Sequence, residues 1–510
     1  MRPIIPILAF AAVLRIISAV YSEGYLMHDD HFWVVESSAS WADDYDYNKW
    51  LPSTQESLGR ELKPHHTNLF YSSLHYLYFE AMNFIGLESP MKKMLVLRLI
   101  HGALSLIAVY LSYLIAERLG GKKPAIIASL MMASLAWLPM VSVHQLVEAT
   151  AIIPLLAFAW TLVKNEELGF KPLVIAGIWL GLATGLRYQV GIMGLGLIIA
   201  FLINSNYNLK ESIKQSITVG VSAIFFFTLT QIPMDLLLWG KPFAQLRAYI
   251  EYNLTSHGGY PQGTYLTYLF TILLLTGPPI SILFFCGYLK SYKKYAVIVW
   301  PSLAFILFHT LFPNRQERFI LPAIPFVIIA GSLFYTHLKT NKFFKFSFVF
   351  SIVINSILLL PLTIFSVNTS QMRAMDYLRQ QNDLENVLYV SYNNKAHPPR
   401  FYSGEWIEFA YAKDTLKIDE QRVAHCKDPN TVVPNYILFA GDSYTMGLAH
   451  AFMDKYKSMS YETRIKGSRF DRALNWIAPH LTIKEVMIYK IDPNLECSEF
   501  LDETHISNEQ

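Results

Sequence analysis

Long apolar stretches alternate with short polar ones from the N-terminus to about residue 366. A membrane-spanning helix needs about 20 mostly apolar residues, and eleven stretches approach or reach that length. They are residues 3–21, 94–116, 124–142, 145–163, 172–187, 190–204, 215–239, 265–289, 295–312, 318–338 and 344–366. The pattern predicts an α-helical polytopic membrane protein with about eleven transmembrane helices.

The chain changes character after residue 366. Short apolar segments at 387–390, 436–439 and 486–489 read as strands, and 445–457 and 470–480 read as helices. Such an order of short strands and helices is typical of a small α/β domain. We therefore expect a catalytic membrane domain over 1–366, with 22–93 as its first outer loop, and a separate extramembrane α/β domain over 367–510.

Basic residues lie mainly in alternate loops, which predicts the orientation of the chain. Because short loops rich in Lys and Arg remain in the cytoplasm, the loop 22–93, the loop 240–264 and the tail from 367 are expected on the opposite, periplasmic or lumenal, side. The basic set is Arg2, Arg118, Lys122, Lys123, Lys164, Lys171, Lys210, Lys214, Lys290, Lys293, Lys294, Lys339, Lys342 and Lys345.

Composition agrees with a membrane protein and argues against a nucleic-acid partner. The chain is 53% hydrophobic and 16% charged, whereas soluble domains carry roughly 25% charge. Its net charge is only +3, which is too small to indicate nucleic-acid binding. Cys286, Cys426 and Cys497 have no metal-ligand spacing; the last two fall in the polar tail, where they either pair or stay free.

The first polar cluster follows the first apolar stretch directly. It contains His28, Asp29, Asp30 and His31, with Glu36 close behind. Adjacent carboxylates at a membrane surface serve as a general base or as metal ligands, although the spacing does not fit a zinc site. The alternative is a solvated loop that only ends a helix.

The second polar cluster lies at the predicted outer end of an apolar stretch. Asp235 and Lys241 precede Tyr252 and Asn253, and a carboxylate in a membrane span is costly unless it is hydrated or paired. This cluster is either functional or a helix-end cap.

The third cluster carries two arginines on a short outer loop, against the rule that basic residues stay inside. Arg315, Glu317 and Arg318 form it, and Arg187 lies at a similar outer turn. Arginine binds phosphate through paired hydrogen bonds, so the cluster suits a lipid phosphate. An Arg–Glu pair that closes the loop is the alternative.

The three clusters together resemble the family 22 glycosyltransferases of the GT-C class, over roughly residues 1–340. The family motif H-P-D-E-x-F-Q-x-L-E is similar to residues 27–36, which match at Asp29, Phe32 and Glu36. The second acid of the motif is Asp30 here, and Met27 and His28 replace its His-Pro.

The remaining motifs of the family follow in the same order. D-x-x-x-Y-G-K resembles residues 235–241, with Trp239 in place of the Tyr, and Y-N resembles residues 252–253. H-K-E-E-R-F-x-x-P resembles residues 314–322, with Asn314 and Gln316 as departures. Members are polyprenyl-phosphate-mannose-dependent mannosyltransferases of N-glycan and GPI-anchor assembly, with bacterial relatives.

The resemblance implies an inverting transfer of a hexose from a polyprenyl-phosphate carrier to a glycan or glycolipid acceptor. Mannose is the leading candidate for the hexose. Asp29 is the expected base and Asp30 its orienting partner, while Arg315, Arg318 and Arg187 hold the lipid phosphate. His28, His31, Glu36, Asp235, Lys241, Tyr252, Asn253 and Glu317 are the other expected substrate contacts. No metal or cofactor is expected, because the lipid-phosphate sugar is itself the donor. We expect a bacterial inner membrane with a periplasmic site; an ER membrane with a lumenal site is the alternative.

Other functions stay open from the sequence. A lipid-linked-glycan flippase or transporter would favour internal repeats, and the sequence shows none. A GT-C enzyme of another branch, acting on arabinose, protein or lipid A, fits the same pattern. Gly441-Asp442-Ser443 and the pair Asp502 and His505 resemble hydrolase motifs, but about sixty residues between them are too few for that domain, so a strand–turn–helix is preferred.

Overall fold

The computed structural model describes residues 3–255, 263–338, 342–390, 397–407, 409–412, 433–441, 443–477 and 483–492. The chain divides into two compact units. The helical unit comprises Met1–Tyr21, Asn48–His75 and Leu95–Ile364, and the α/β unit comprises Ser22–Tyr47, Tyr76–Met94 and Phe365–Gln510.

Helices account for most of the described chain. In chain order they are α1 (Ile4–Tyr21), α2 (Ser37–Ala42), α3 (Pro52–Ser57), α4 (Leu69–Phe84), α5 (Pro90–Gly120), α6 (Lys122–Ser134), α7 (Leu138–Val143), α8 (Val147–Lys164), α9 (Phe170–Leu186), α10 (Met193–Asn204), α11 (Leu209–Trp239), α12 (Ala244–Thr255), α13 (Thr267–Leu275), α14 (Ile280–Lys290), α15 (Ala296–Leu311), α16 (Ile324–Leu338), α17 (Lys342–Thr363), α18 (Thr369–Arg379), α19 (Ser443–Lys455) and α20 (Arg469–Ile477). Shorter turns are a π-helical turn at Asp30–Glu36 and 3₁₀ turns at Tyr188–Ile192, Glu317–Ala323 and Arg400–Ser403.

Each of the eleven predicted apolar stretches falls on helical backbone. Within the described ranges, six helical segments are long and apolar enough to cross a membrane: α1, α5, α8, α11, α17 and Glu317–Phe334. The pair α13 and α14 is bent by 115°, and α9, Tyr188–Asn204 and α15 are shorter apolar helices. The stretch 124–142, predicted as one span, is instead divided between α6 and α7.

Polar side chains satisfy the backbone groups that these breaks leave open. At the end of α6, Arg15 donates to the carbonyls of Met132, at 2.9 Å, and Ala133. Asn355 of α17 donates to the Ser134 carbonyl at 2.7 Å and accepts from the Ala136 N–H at 2.8 Å. A backbone group without a partner is costly in hydrocarbon, so this arrangement accounts for a buried arginine and a half-buried asparagine inside apolar helices.

The second break is capped from the same helix. Between α13 and α14, the Ser351 hydroxyl of α17 lies 3.2 Å from both the Gly277 carbonyl and the Ile280 N–H. Trp137 Nε1 donates to the Leu275 carbonyl at 2.7 Å, at the end of α13. Neither break was predicted from the length of the apolar stretches, although Gly277-Pro278-Pro279 lies at the second break and proline interrupts a helix.

Small residues bring α9 into close contact with α11. A Cβ atom added to Gly177 or Gly181 would lie 2.6 or 2.4 Å from the carbonyl oxygens of Val219 and Ala223. Glycine at every fourth position allows two helix backbones to approach in a membrane. The contact continues to Gly185, two residues before Arg187, and therefore fixes the end of α9 from which that arginine projects.

The α/β unit contains a five-stranded sheet, which confirms the predicted α/β fold of the C-terminal region. Its strands are β1 (Val387–Val390), β2 (Phe409–Ala412), β3 (Tyr436–Gly441), β4 (Ser460–Lys466) and β5 (Glu485–Lys490). Their order is β2-β1-β3-β5-β4, with β2, β1 and β3 parallel and with β5 antiparallel to both β3 and β4. The predicted strands correspond to β1, β3 and β5, and the predicted helices to α19 and α20.

Part of the first outer loop belongs to this unit. Gly24 forms a backbone bridge with Val367, the Tyr25 hydroxyl donates to Gln371 Oε1 at 2.8 Å, and Asn368 Nδ2 donates to the Tyr25 carbonyl at 3.0 Å. Residues that the sequence pattern divides between two domains therefore pair directly. Cys426 and Cys497, and the Asp502 and His505 pair, lie outside the described residues.

We expect Asp471→Ala to destabilise the α/β unit strongly. Asp471 is fully buried and accepts hydrogen bonds from the N–H groups of Asn368, Thr369 and Ser468, at 2.7, 3.1 and 3.1 Å. Loss of the carboxylate leaves these buried donors unpaired, at a cost of about 3 kcal/mol. Thermal unfolding of the full chain in detergent should shift down by roughly 5–10 °C.

Asp376→Ala is the matched control for this substitution. Asp376 forms a more accessible ion pair with Arg379, at 2.9 Å, and such pairs contribute under about 1 kcal/mol. Equal melting temperatures for the two variants would contradict a stabilising role for the three backbone hydrogen bonds that Asp471 accepts.

Candidate active site

The acidic segment lies on a helix whose geometry changes along its length. Helical backbone begins at His28, and the π-helical turn Asp30–Glu36 continues into α2. Accessibility falls along it: 33% of the Asp29 side chain is exposed, Asp30 is buried at 7%, and Glu36 has no exposed surface. π-Helical turns are rare and occur frequently at functional sites. Asp29 is therefore the carboxylate of this segment that a substrate can reach most easily.

Glu36 and His31 form the buried base of the acidic segment. Glu36 Oε1 accepts a hydrogen bond from the Phe401 N–H at 3.2 Å and lies 3.4 Å from His31 Nε2. The His31 ring is stacked between Tyr25 and Tyr402, at centroid distances of 4.5 and 5.6 Å. These contacts orient the segment; direct contact of either residue with substrate stays a prediction.

A histidine from the tail joins the accessible end of the segment. His28 Nδ1 lies 3.7 Å from Asp29 Oδ1, and the His28 ring lies 6.2 Å from the ring of His397. Burial, together with His28 and Arg400, lowers the pKa of His397, so this imidazole is neutral at neutral pH. The sequence contains no signal for His397, because it lies 368 residues after Asp29 and in no motif.

Three charged side chains of the helical unit meet in a buried cluster. Arg187 Nη1 donates to Glu148 Oε1 at 2.5 Å, and Arg318 Nε lies 3.7 Å from the same oxygen. Only 7%, 1% and 11% of the Arg187, Glu148 and Arg318 side chains are exposed. Both guanidinium groups also lie over the Phe319 ring, 4.7 and 5.6 Å from its centroid. We name Arg187, Glu148 and Arg318 the arginine cluster.

Hydrogen-bonding capacity in the arginine cluster is left unused. Arg187 Nε and Nη2 and Glu148 Oε2 are buried, and no partner for them lies among the described residues. Buried polar groups in proteins are almost always paired. The two cationic nitrogens of Arg187 that have no acceptor can therefore donate hydrogen bonds to an anionic ligand.

The members of the arginine cluster come from turns that the sequence places on one side. Glu148 is in the first turn of α8, Arg187 follows α9, and Arg318 lies in the turn before α16. At the opposite ends of α5 and α8, Arg118 pairs with Glu166 at 3.0 Å. The structure thus agrees with the predicted alternation of the helices, although it does not define which side faces the cytoplasm.

Arg315 makes a different set of contacts from the members of the arginine cluster. Its Nε donates to the Thr310 carbonyl at 3.0 Å, its Nη1 donates to the Gly263 carbonyl at 3.2 Å, and its guanidinium lies over the Tyr265 ring. Glu317 is exposed, while Arg318 Nε donates to Gln316 Oε1 at 3.0 Å and lies 3.7 Å from Glu148 Oε1. The phosphate role predicted for Arg315 stays a prediction.

The second polar cluster is held mainly by helix ends. Asp235 is 1% exposed, and its Oδ1 accepts a hydrogen bond from the Gln245 N–H at 3.3 Å, at the start of α12. This is the capping arrangement that the sequence left open. Lys241 is exposed, and Asn253 Nδ2 donates to the Tyr249 carbonyl at 2.8 Å. A substrate contact for Asp235, Lys241 or Asn253 stays a prediction.

Tyr252 ends a column of aromatic rings. Its ring stacks on His66 at 3.8 Å, His66 lies 4.1 Å from His65, and His65 stacks on Trp50 at 3.7 Å. Burial, with His66 beside it, lowers the pKa of His65 to about 3. His65 is therefore uncharged at neutral pH, within a half-buried column of rings.

Metal-ligand geometry does not occur in the part of the chain that the structure describes. No group of three or more His, Cys, Asp or Glu side chains there could hold a metal ion. The α/β unit therefore carries a group of carboxylates and imidazoles, and the helical unit carries a separate group of paired arginines.

The fold is that of the GT-C class of membrane glycosyltransferases. ArnT from Cupriavidus metallidurans, solved with undecaprenyl phosphate, aligns with a TM-score of 0.55 at 11% identity, over 95% of this chain and 97% of that one. AglB, an archaeal oligosaccharyltransferase from Archaeoglobus fulgidus solved with an inhibitory peptide and a dolichol-phosphate, aligns with a TM-score of 0.50 at 12% identity, over 96% and 88%. At these identities the likeness concerns the fold.

Within that class, the chain belongs to the Alg9-like mannosyltransferase family, whose sequence profile matches residues 6–397. Mannosyltransferase APTG1 from Arabidopsis thaliana is 21% identical over 350 residues, which cover 66% of this chain. The match spans 59% of the length of that relative. The predicted membrane fold and the predicted family are both confirmed.

Proposed function

We propose that the protein is a membrane glycosyltransferase that transfers a hexose from a polyprenyl-phosphate carrier to a glycan or glycolipid acceptor. Mannose is the leading candidate for the hexose. The observation that carries the proposal is the arginine cluster, in which buried Arg187 N–H groups have no acceptor among the described residues. A lipid phosphate supplies the missing acceptor atoms. Family membership supports the sugar, and the lipid phosphates bound by ArnT and AglB support the carrier.

The reaction proposed for this site is a direct displacement. The acceptor hydroxyl loses its proton to Asp29 as its oxygen bonds to the anomeric carbon, and the bond from that carbon to the phosphate oxygen breaks. The electron pair of the broken bond stays on the lipid phosphate, whose charge Arg187 and Arg318 stabilise. Back-side attack inverts the configuration, so that a β-linked donor gives an α-linked product.

A donor assay with the purified full chain tests the proposal. Polyprenyl-phosphate mannose should support transfer, and GDP-mannose or UDP-glucose should not, because the guanidinium groups of the cluster suit the single phosphate of a lipid carrier. EDTA should leave the rate unchanged within about twofold, because guanidinium groups replace a metal in charge stabilisation. Turnover with a nucleotide sugar in the absence of lipid carrier would exclude the proposed donor.

The side of the membrane is proposed from the basic loops, and cysteine labelling tests it. In a background with all three native cysteines replaced by Ser, cysteine at Ser57 should react with an impermeant thiol reagent in intact cells, because the loop 22–93 is expected outside. Cysteine at Lys293, in an exposed turn on the predicted inner side, should react only after permeabilisation. Labelling of the Lys293 variant alone in intact cells would reverse the orientation.

A further inference from the structure

The arginine cluster holds two cations against one anion. Arg187 and Arg318 both approach the single oxygen Glu148 Oε1, and all three side chains are nearly or largely buried. Counted over these three groups, the net charge is +1. At low dielectric a charge difference of one unit has a much larger effect than it has in water.

Substrate and product of the proposed reaction differ in charge at the phosphate. The donor is a phosphodiester and carries one negative charge. The product is a phosphomonoester, which carries about −1.5 to −2 near pH 7 because its second pKa is about 6. A pocket with two uncompensated arginines would therefore bind the spent carrier more tightly than the donor. Release of product limits the turnover of many enzymes, so such a pocket would be inhibited by its own product.

We infer that Glu148 sets the charge of the phosphate site, so that the site favours the monoanionic donor and releases the dianionic lipid phosphate. This inference rests on the proposed function, since it assumes that the arginine cluster receives the carrier phosphate. Glu148 acts through the two arginines and is therefore a specificity-determining, positioning residue. The single negative charge of Glu148 is shared with Oε2, which is buried and accepts no hydrogen bond from the described residues, and this charge repels the second negative charge of the phosphomonoester.

The test compares binding of two ligands that differ only in charge. A short-chain, water-soluble prenyl phosphate and its methyl ester are titrated calorimetrically at pH 8 into the purified full chain in detergent. For Glu148→Gln, with a cluster charge of +2, the affinity for the monoester relative to the methyl ester should rise about tenfold over wild type. Glu148→Asp keeps the charge and should keep the wild-type ratio.

A charge series separates this role from a packing role. Arg318→Gln brings the cluster to zero and should lower the relative affinity for the monoester about tenfold. The double variant Glu148→Gln/Arg318→Gln restores +1 and should return the ratio to within about threefold of wild type. In transfer assays, Glu148→Gln should lower the steady-state kcat more than it lowers the single-turnover rate, and added prenyl phosphate should inhibit the variant more strongly than wild type.

Each result of the series decides between the two ideas. A ratio unchanged within twofold in both Glu148→Gln and Arg318→Gln would overturn the charge-setting role, even if both variants lose activity. If Glu148→Gln does not fold, an unchanged ratio of the two ligand affinities in Arg318→Gln is by itself enough to overturn the charge-setting role. Wild-type protein that binds neither ligand would instead remove the phosphate site itself and with it the proposed function.

Discussion

Asp29→Asn is expected to lower the single-turnover rate of transfer by about 10²-fold or more. Asparagine keeps the shape and much of the hydrogen bonding of the side chain but does not accept the proton of the acceptor hydroxyl, and general-base catalysis contributes about 10²–10⁴-fold. Asp29 is the accessible carboxylate of its segment, whereas Asp30 and Glu36 are buried. Donor affinity should change little, because the proposed phosphate site is the arginine cluster rather than Asp29.

Asp30→Asn is the matched comparison and should reduce the rate less, since Asp30 orients the segment. Rates of both variants should be measured with saturating donor, after expression and donor binding have been checked. An inactive Asp30→Asn beside a near-normal Asp29→Asn would identify Asp30 as the base. Near-normal rates in both would locate the reaction elsewhere in the protein.

Arg187→Gln is expected to weaken donor binding and to lower kcat/KM by about 10²-fold. Its unpaired N–H groups are the proposed phosphate donors, and loss of one charge-stabilising donor in an active site costs about 10²–10³-fold. The substitution also removes the hydrogen-bonded partner of buried Glu148. Breaking a buried ion pair costs about 3–5 kcal/mol, so the melting temperature should fall as well, and rates must be taken well below it.

Arg118→Gln is the control for Arg187→Gln. Arg118 forms a more exposed ion pair with Glu166, at the ends of α5 and α8 that lie away from the arginine cluster. It should alter neither kcat/KM nor the melting temperature appreciably. Unchanged donor kinetics in a folded Arg187→Gln protein would contradict the phosphate site.

The length of the apolar stretches was sufficient to locate the apolar helices but not the breaks within them. Both stretches 124–142 and 265–289 are apolar enough to suggest single spans. The second carries a local helix-breaking sequence, Gly277-Pro278-Pro279, whose effect outweighs the apolar pattern. The side chains that satisfy the open backbone groups at the breaks, such as Asn355 and Ser351, lie far away in sequence. The edge strands β2 and β4 were not predicted either, because β4 is largely exposed and lacks an apolar run.

The candidate site was only partly predictable, for two different reasons. Glu148 is the one charged residue in the apolar stretch 145–163, and an ionisable residue in a span is a signal of function. It lies in none of the family motifs, so motif matching did not identify it. His397 carries no such signal. The pairing of Tyr25 with Gln371 and Asn368 shows why the boundary drawn at residue 366 separated residues that lie together: sequence distance does not report contact.

The capping of both helix breaks by α17 has a consequence for biosynthesis. Asn355 and Ser351 emerge from the ribosome about 220 and 70 residues after the breaks that they satisfy. Until then the exposed backbone groups near Ser134 and Gly277 have no α17 partner, and hydrocarbon supplies none. A nascent chain that stops before Lys342 therefore cannot complete these two segments in the bilayer, and quality-control factors should recognise such truncated chains while the full chain escapes them.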